Sequence, residues 1–404
     1  MGKIKLFLVA GLISCFVMGC GNSADVVDNT TNKPEVSSNE NKDVQGESTE
    51  DLIAAYPKNK KSDFQAPKTD VDARIDNILS DMSIEEKVGQ MFIARCPETN
   101  AVAMVEEYMP GGYILFARDF DGKNQKEVIE NISNYQDASN LTMFIGVDEE
   151  GGTVNRVSCY SQFRSEPFKS PQDIFEEGGM DAIRKDALQK SDFLKELGIN
   201  LNFAPVCDVS VSKDDFIYKR SFGKNAAETS EYVTTVVEAM SEGNMGSVLK
   251  HFPGYGNNVD THTGIAIDER AYETFTESDF KPFEAGIEAG AGMVLVSHNI
   301  VNSMDADNPA SLSEKVHKIL REDLGFDGVI ITDDLYMEAV KAYAGDEEVA
   351  VTAVLAGNDM LCSTDFQVQI PAVIKAVKDG RISEERINES VRRILRMKVE
   401  LGLL

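Results

Sequence analysis

The densest concentration of reactive side chains in this 404-residue chain lies between Leu249 and His262. There Lys250, His251, Asp260 and His262 bring a cation, two of the four histidines and an acid into one segment. Gly246-Ser247-Val248-Leu249 reads as a short buried strand, and Pro253, Gly254 and Gly256 end regular structure after it. The polar groups therefore leave a strand end on a loop. Asp260 and His262 are two apart, so an extended strand points them to opposite sides, whereas a loop of Gly and Asn residues lets their side chains meet. A carboxylate against an imidazole makes an oriented acid/base. Asp-x-His also arises by chance in ordinary loops, so the pair gains meaning only from what surrounds it.

The surroundings alternate regularly. Short apolar runs at Val88–Ala94, Tyr113–Phe116, Thr142–Val147, Leu201–Pro205, Ser247–His251, Met293–Ser297, Gly328–Thr332 and Asp359–Cys362 read as strands. Between them, Ala182–Leu197, Glu228–Glu242, Asp279–Ala289 and Ser313–Leu324 carry apolar residues at three and four spacing. Ser83 before Glu85 and Glu86 marks an early helix start, and a last helix from Ser383 to about Leu401 sets Ile387, Val391 and Ile394 on one face. Eight strand–helix units predict an α/β fold, a closed (β/α)8 TIM barrel as one catalytic domain over residues 67–404.

The N-terminus reads differently. Lys3 and Lys5 precede an apolar run, Leu6–Met18, too short for a stable span and laid out like a secretory signal. Val17-Met18-Gly19-Cys20 resembles a bacterial lipobox, with Met18 where a small residue is usual, so residues 1–19 are expected to be a lipoprotein signal and Cys20 the lipidated site. Residues 20–66 are polar and poor in large apolar residues, which predicts a flexible tether. The expected location is extracytoplasmic, on a bacterial membrane.

Sixty-eight acidic residues against 40 basic ones give a formal charge of -28, which opposes binding to nucleic acid. Cys96, Cys159, Cys207 and Cys362 lack metal-ligand spacing, so no metal or other cofactor is expected, and the apolar neighbourhoods of Cys207 and Cys362 predict buried free thiols. A monomer is expected.

In a barrel of this kind reactive residues stand at the C-terminal ends of strands. Those positions hold Asp148-Glu149-Glu150-Gly151-Gly152 with Arg156, then Pro205 and Asp208, Lys219-Arg220-Ser221-Phe222-Gly223, Lys250 and His251 with Asp260 and His262, Ser297-His298, and Asp333-Asp334. Each has a plainer use. An acid after a strand often caps the next helix, which is the expectation for Asp334. His298 is expected to satisfy hydrogen bonds near the core, His317 to lie on the surface of a helix, and Tyr336 and Met337 to pack at the rim.

Together these motifs resemble family 3 glycoside hydrolases, and among them the single-domain β-N-acetylglucosaminidases, from about Ile75 to the C-terminus; Ile331-Thr332-Asp333-Asp334-Leu335-x-Met337 completes the set. The resemblance implies a retaining mechanism with Asp333 as nucleophile, His262 as general acid/base and Asp260 as its partner. It implies that Asp148, Arg156, Arg220, Lys250 and His251 hold the sugar. A histidine would stand where retaining glycosidases usually have a second carboxyl group, and its ordinary pKa of about 6.5 suits proton delivery near neutrality. Two positions depart from the family pattern: Tyr255 where His is usual, and Thr153 where Arg is usual. The implied substrate is a glycan with terminal β-linked N-acetylhexosamine, from the cell wall or elsewhere. Rival readings are a phosphorylase on the same scaffold and a sugar-capturing lipoprotein without turnover. Family β-glucosidases carry their acid/base on an additional C-terminal domain, which this sequence does not show.

Overall fold

The computed structural model describes residues 70–258, 266–337, 340, 343 and 345–404. The expected signal, Cys20, the tether, Asp260 and His262 lie outside these residues.

The strands are β1 (Phe92–Arg95), β2 (Gly112–Leu115), β3 (Phe144–Val147), β4 (Leu201–Asn202), β5 (Gly246–Phe252), β6 (Ile267–Asp268), β7 (Met293–Val296), β8 (Ile300–Val301), β9 (Val329–Thr332) and β10 (Leu361–Ser363). Eight of them form one parallel sheet in the order β10-β1-β2-β3-β4-β5-β7-β9. Val248 pairs with Met293 across β5 and β7, and Val294 with Ile330 across β7 and β9. A parallel bridge between Ile331 and Met360 brings the last strand of that order to the segment entering the first, which closes the ring. β6 and β8 make a small separate pair beside it. Strands buried on both faces need no polar alternation: β2, β3, β7 and β9 are buried throughout. That is why they read as continuous apolar runs, and the barrel is the (β/α)8 architecture the sequence predicts.

The first strand is shorter than its apolar run suggests. Val88 belongs to the helix Ile84–Gln90, which Ser83 and Glu86 start with a reciprocal capping box: Ser83 Oγ accepts from Glu86 N at 3.2 Å, and Glu86 Oε2 from Ser83 N at 2.8 Å. The helix packs so tightly that a Cβ on Gly89 would sit 2.5 Å from the Met109 and Tyr108 carbonyls. A continuous apolar run does not separate a buried helix from a buried strand. The C-terminal helix Glu384–Glu400 fits its expectation, with Ile387, Val391 and Ile394 fully buried and Ser383 capping Arg386 N.

His317 is not on the surface. It is 3% exposed, with its Nδ1 2.7 Å from the Ser313 carbonyl, and a Cβ on Gly357 would meet its ring at 3.0 Å. The helix Glu314–Lys318 runs into a wider turn, Ile319–Asp323, and buries Val316 and Ile319 as well. No single outward face remains at His317. Burial pushes its pKa down. Cys207 and Cys362 are buried free thiols, as expected.

Candidate active site

A cavity of about 290 Å³ opens at the mouth where the barrel strands end, and Asp148, Arg156, Arg220, Lys250, His251 and Asp333 all line it. Six of the eight residues that the sequence nominates for chemistry thus meet in one place. Asp260 and His262 fall within residues 259–265 and have no described position. Ile114, Phe116, Phe203 and Leu295 supply apolar wall.

Local structure explains each placement. After β4 the chain runs on beside β5: Val206 bridges Lys250, and Cys207 N donates to the Lys250 carbonyl at 2.6 Å. This sets Asp208 against His251, whose Nδ1 lies 2.8 Å from Asp208 Oδ2. The same carboxylate accepts from His251 N at 3.1 Å and Tyr255 N at 2.7 Å. Tyr255, where the family pattern has His, is 1% exposed and packs edge-on against the His251 ring.

After β3 the chain turns through the glycine pair, where Gly151 and Gly152 both have positive φ, at 98° and 64°. Glu149 is fully buried and accepts from the backbone of Arg156, Val157 and Ser158, so it shapes the loop that carries Arg156. Glu150 turns the other way. Its carboxylate receives Arg220 Nε at 3.0 Å and Arg220 Nη2 at 2.7 Å, and lies 2.7 Å from Lys250 Nζ. Lys250 Nζ also reaches Asp148 Oδ1 at 2.6 Å, and Arg220 Nη2 lies 3.3 Å from His251 Nε2. Asp148, Lys250, Glu150, Arg220, His251 and Asp208 therefore form one connected polar chain.

Its electrostatics are settled internally. Burial opposes charge on Glu150, yet Lys250 and Arg220 hold its carboxyl well below the usual carboxylate range. Burial likewise opposes charge on Lys250, and the Asp148 and Glu150 carboxylates outweigh it and raise its pKa. Arg220 is raised against its own burial by Glu150. Asp208 fixes the His251 tautomer: with Nδ1–H donating to the carboxylate, Nε2 accepts from Arg220. Lys250 keeps a third N–H and Asp148 a second oxygen, a donor and an acceptor side by side, which suits a polyhydroxylated ring.

At the end of β9, Asp333 N donates to the Val296 carbonyl and Asp333 Oδ1 accepts from Asp334 N at 2.8 Å. Its carboxylate is partly exposed to the cavity. Asp334 plays a structural part, though a wider one than a helix cap. It accepts from Tyr336 N at 3.0 Å, Thr364 N at 3.0 Å and Thr364 Oγ1 at 2.5 Å, tying the end of β9 to the loop after β10. Burial raises its pKa. His298 is fully buried and hydrogen-bonded to Ser311 Oγ and the Asp334 carbonyl, as expected. Tyr336 stands exposed at the rim, whereas Met337 lines the cavity.

Three contributors escape a reading by motif. Glu150 ends an acidic run in which two other acids precede it, and nothing in spacing says which of the three turns inward. Asp208 follows a strand, yet its partner comes from the next one. Arg95, the last residue of β1, lines the cavity; its position at a strand end was the available signal. A further group ties the residues after β6 to the turn after β5. Arg270 bonds to Asp268, to Asp279 Oδ1 at 2.9 Å and to the Gly254 carbonyl at 3.0 Å. Burial pushes the Asp279 carboxyl up to about 6 against the pull of Arg270.

The family model described as glycosyl hydrolase family 3 N terminal domain matches residues 83–397. A β-hexosaminidase of Methylobacillus flagellatus is 29% identical over 272 residues, 64% of this chain and 75% of that protein. One of Nitrosomonas eutropha is 31% identical over 256 residues, 62% of this chain and 72% of that one. Among solved structures, a glycoside hydrolase family 3 β-N-acetylglucosaminidase from Paenibacillus superposes with a TM-score of 0.74 at 29% identity, covering 80% of this chain and 63% of that longer one.

Proposed function

Because the chain belongs to glycoside hydrolase family 3, we propose that it is a retaining, exo-acting β-N-acetylglucosaminidase. In this reading Asp333 attacks the anomeric carbon as the glycosidic C–O bond breaks, and the leaving oxygen takes a proton from His262, which Asp260 orients. Water then attacks the same carbon, gives its proton to His262 and expels the Asp333 carboxylate. Asp148, Arg156, Arg220, Lys250 and His251 hold the terminal sugar. The observation that carries the proposal is the shared cavity: a partly exposed Asp333 carboxylate at one strand end and the Asp148–Lys250–Glu150–Arg220–His251–Asp208 chain at others. The β-hexosaminidase relatives support the sugar.

The deciding experiment incubates the protein with a chromogenic β-N-acetylglucosaminide, with and without inorganic phosphate. The expected product is free N-acetylglucosamine of retained configuration, and a fluorinated glycoside should leave a covalent adduct on Asp333. A sugar 1-phosphate would mean a phosphorylase, an adduct on Asp334 would mean the other acid is the nucleophile, and binding without turnover would mean a capture protein.

The basic and apolar start, Cys20 and the polar stretch after it support a membrane-anchored lipoprotein acting on cell-envelope glycan fragments. Cys20→Ala should release the protein from membranes or leave it unprocessed; a labelled fatty acid that fails to enter the wild type would overturn the anchoring.

A further inference from the structure

Lys87, Lys190, Lys250 and Lys398 are the buried lysines among the described residues, and two of them meet at Glu150. Lys250 reaches its carboxylate from β5. Lys190, from the helix Pro171–Glu196, donates to its carbonyl at 3.1 Å. The same ammonium lies 3.1 Å from Asp186 Oδ2, one helical turn earlier, and 5.2 Å from the centroid of the Phe168 ring. The space beside it measures about 20 Å³ and is lined in part by Ile183, Ala187, Ala204 and Met240, room for one water and no larger ligand. The charge is therefore not there to bind one.

The loop after β3 depends on support from other elements. Asn202, at the end of β4, accepts from Glu149 N at 3.0 Å and donates to the Glu149 carbonyl at 3.1 Å, so it grips that residue on both sides. Glu150 N donates to the Val154 carbonyl at 3.0 Å. The Glu150 carbonyl has Lys190, and the next residue is Gly151, with φ at 98°. Glycine takes positive and negative φ with similar ease, so the Glu150–Gly151 peptide is the least restrained link of the loop. A buried carbonyl without a donor is costly, and this one can escape the cost by turning about the glycine, which shifts the carboxylate on the same residue. Stability alone does not call for a lysine here, because apolar residues of similar volume in place of a buried ion pair are often neutral or stabilising. What the lysine adds is direction.

The geometry points to Lys190 as a positioning residue for the sugar site: by holding the Glu150 carbonyl it fixes the peptide from which the Glu150 carboxylate reaches Arg220 and Lys250. Those two cations line the cavity and Lys190 does not, so it acts through Glu150 and touches no substrate. The inference rests on the glycosidase reading and adds to it a residue behind the cavity wall whose loss loosens the grip on the terminal sugar.

The test measures kcat and KM on the chromogenic β-N-acetylglucosaminide, and binding of free N-acetylglucosamine by calorimetry, for wild type, Lys190→Met and Lys190→Gln. A loosened grip weakens ground and transition state alike, so Lys190→Met should raise KM and the Kd of the sugar roughly 10-fold while kcat stays within about 3-fold. Glutamine keeps an N–H donor for the carbonyl and should raise both constants only about 3-fold. It also covers the case in which the methionine variant does not fold: KM and Kd raised in the glutamine variant, with kcat kept, then support the role. A lysine that only stabilises the fold lowers the active fraction on removal, which reduces kcat and leaves KM and Kd as they were. That outcome overturns the inference, as do unchanged constants in both variants or equal losses with methionine and glutamine. If wild type binds the sugar but turns over no glycoside, the glycosidase reading fails, and the Kd values still decide whether Lys190 positions the site. A wild type that neither binds nor cleaves overturns both.

Discussion

Asp208 Oδ2 takes both the ring Nδ1 of His251, at 2.8 Å, and the backbone N of the same residue, at 3.1 Å. One carboxylate oxygen thus sets the tautomer and the backbone position of a residue inside the cavity, while the other oxygen holds Tyr255 N. In Asp208→Asn one of these positions becomes an NH2 group facing a donor in a fully buried place. An unmatched buried donor costs about 1–3 kcal/mol. Stability should fall by about that amount in urea unfolding, and kcat/KM should fall with it. Nitrogen NMR of labelled His251 should show the Nδ1–H tautomer in wild type and a mixture in Asp208→Ala. An unchanged tautomer would assign Asp208 to the backbone alone.

Glu150 is the hinge of the polar chain because Arg220 and Lys250 both depend on it. Glu150→Gln keeps the shape and leaves two enclosed cations with Asp148 as their remaining acid. Breaking a buried pair by removing one partner costs about 3–5 kcal/mol, and the variant should lose about that much. The pH dependence follows from the lowered folded pKa. A carboxylate depressed on folding contributes stability that is present above its unfolded value, here 4.5, and is lost as pH falls toward the folded value. The gap between wild type and variant should be constant above about pH 5 and narrow below it. A gap that is flat down to pH 3 would show that Glu150 is not held ionised.

The barrel was legible because its strands are buried on both faces and its helices on one, so periodicity changes at each boundary. The helix at Val88 was misread since its apolar run lacks a period, and His317 because a turn of wider pitch follows it. The polar residues lining the cavity announced themselves as types at strand ends. What the sequence does not carry is who pairs with whom: Glu149 and Glu150 are adjacent acids, one spent on the backbone of its own loop and the other on Arg220 and Lys250 from later strands. Asp208 and Arg95 share that difficulty, since their surroundings are assembled from segments distant in the chain.

Lys398 offers a stability prediction away from the site. It is fully buried near the end of the last helix, donating to Gln90 Oε1 at 2.7 Å with its Nζ 5.2 Å from the Phe144 ring. Burial pushes its pKa down to about 7 from 10.5. Below pH 7 both folded and unfolded chains carry the proton; between about 7 and 10.5 only the unfolded chain does, so stability from this group rises with pH across that window. Lys398→Met should be the more stable form near pH 7, and its advantage should shrink toward pH 10. An advantage that does not change with pH would mean that Lys398 stays charged in the fold.

The acid/base role given to His262 can be separated from binding through leaving-group chemistry. A nitrophenolate departs readily without protonation, whereas a sugar alkoxide is a very poor leaving group unless it is protonated as the bond breaks. General acid catalysis contributes roughly 10²- to 10⁴-fold, so His262→Ala should lose about that factor on a disaccharide and much less in the glycosylation step with an aryl glycoside. Deglycosylation should then limit the aryl reaction, giving a burst of nitrophenol before the steady state. Azide needs no base to activate it and should speed that step, with glycosyl azide as the product. If aryl and disaccharide substrates lose equal rate and azide does nothing, His262 holds substrate or structure, and another group moves the proton.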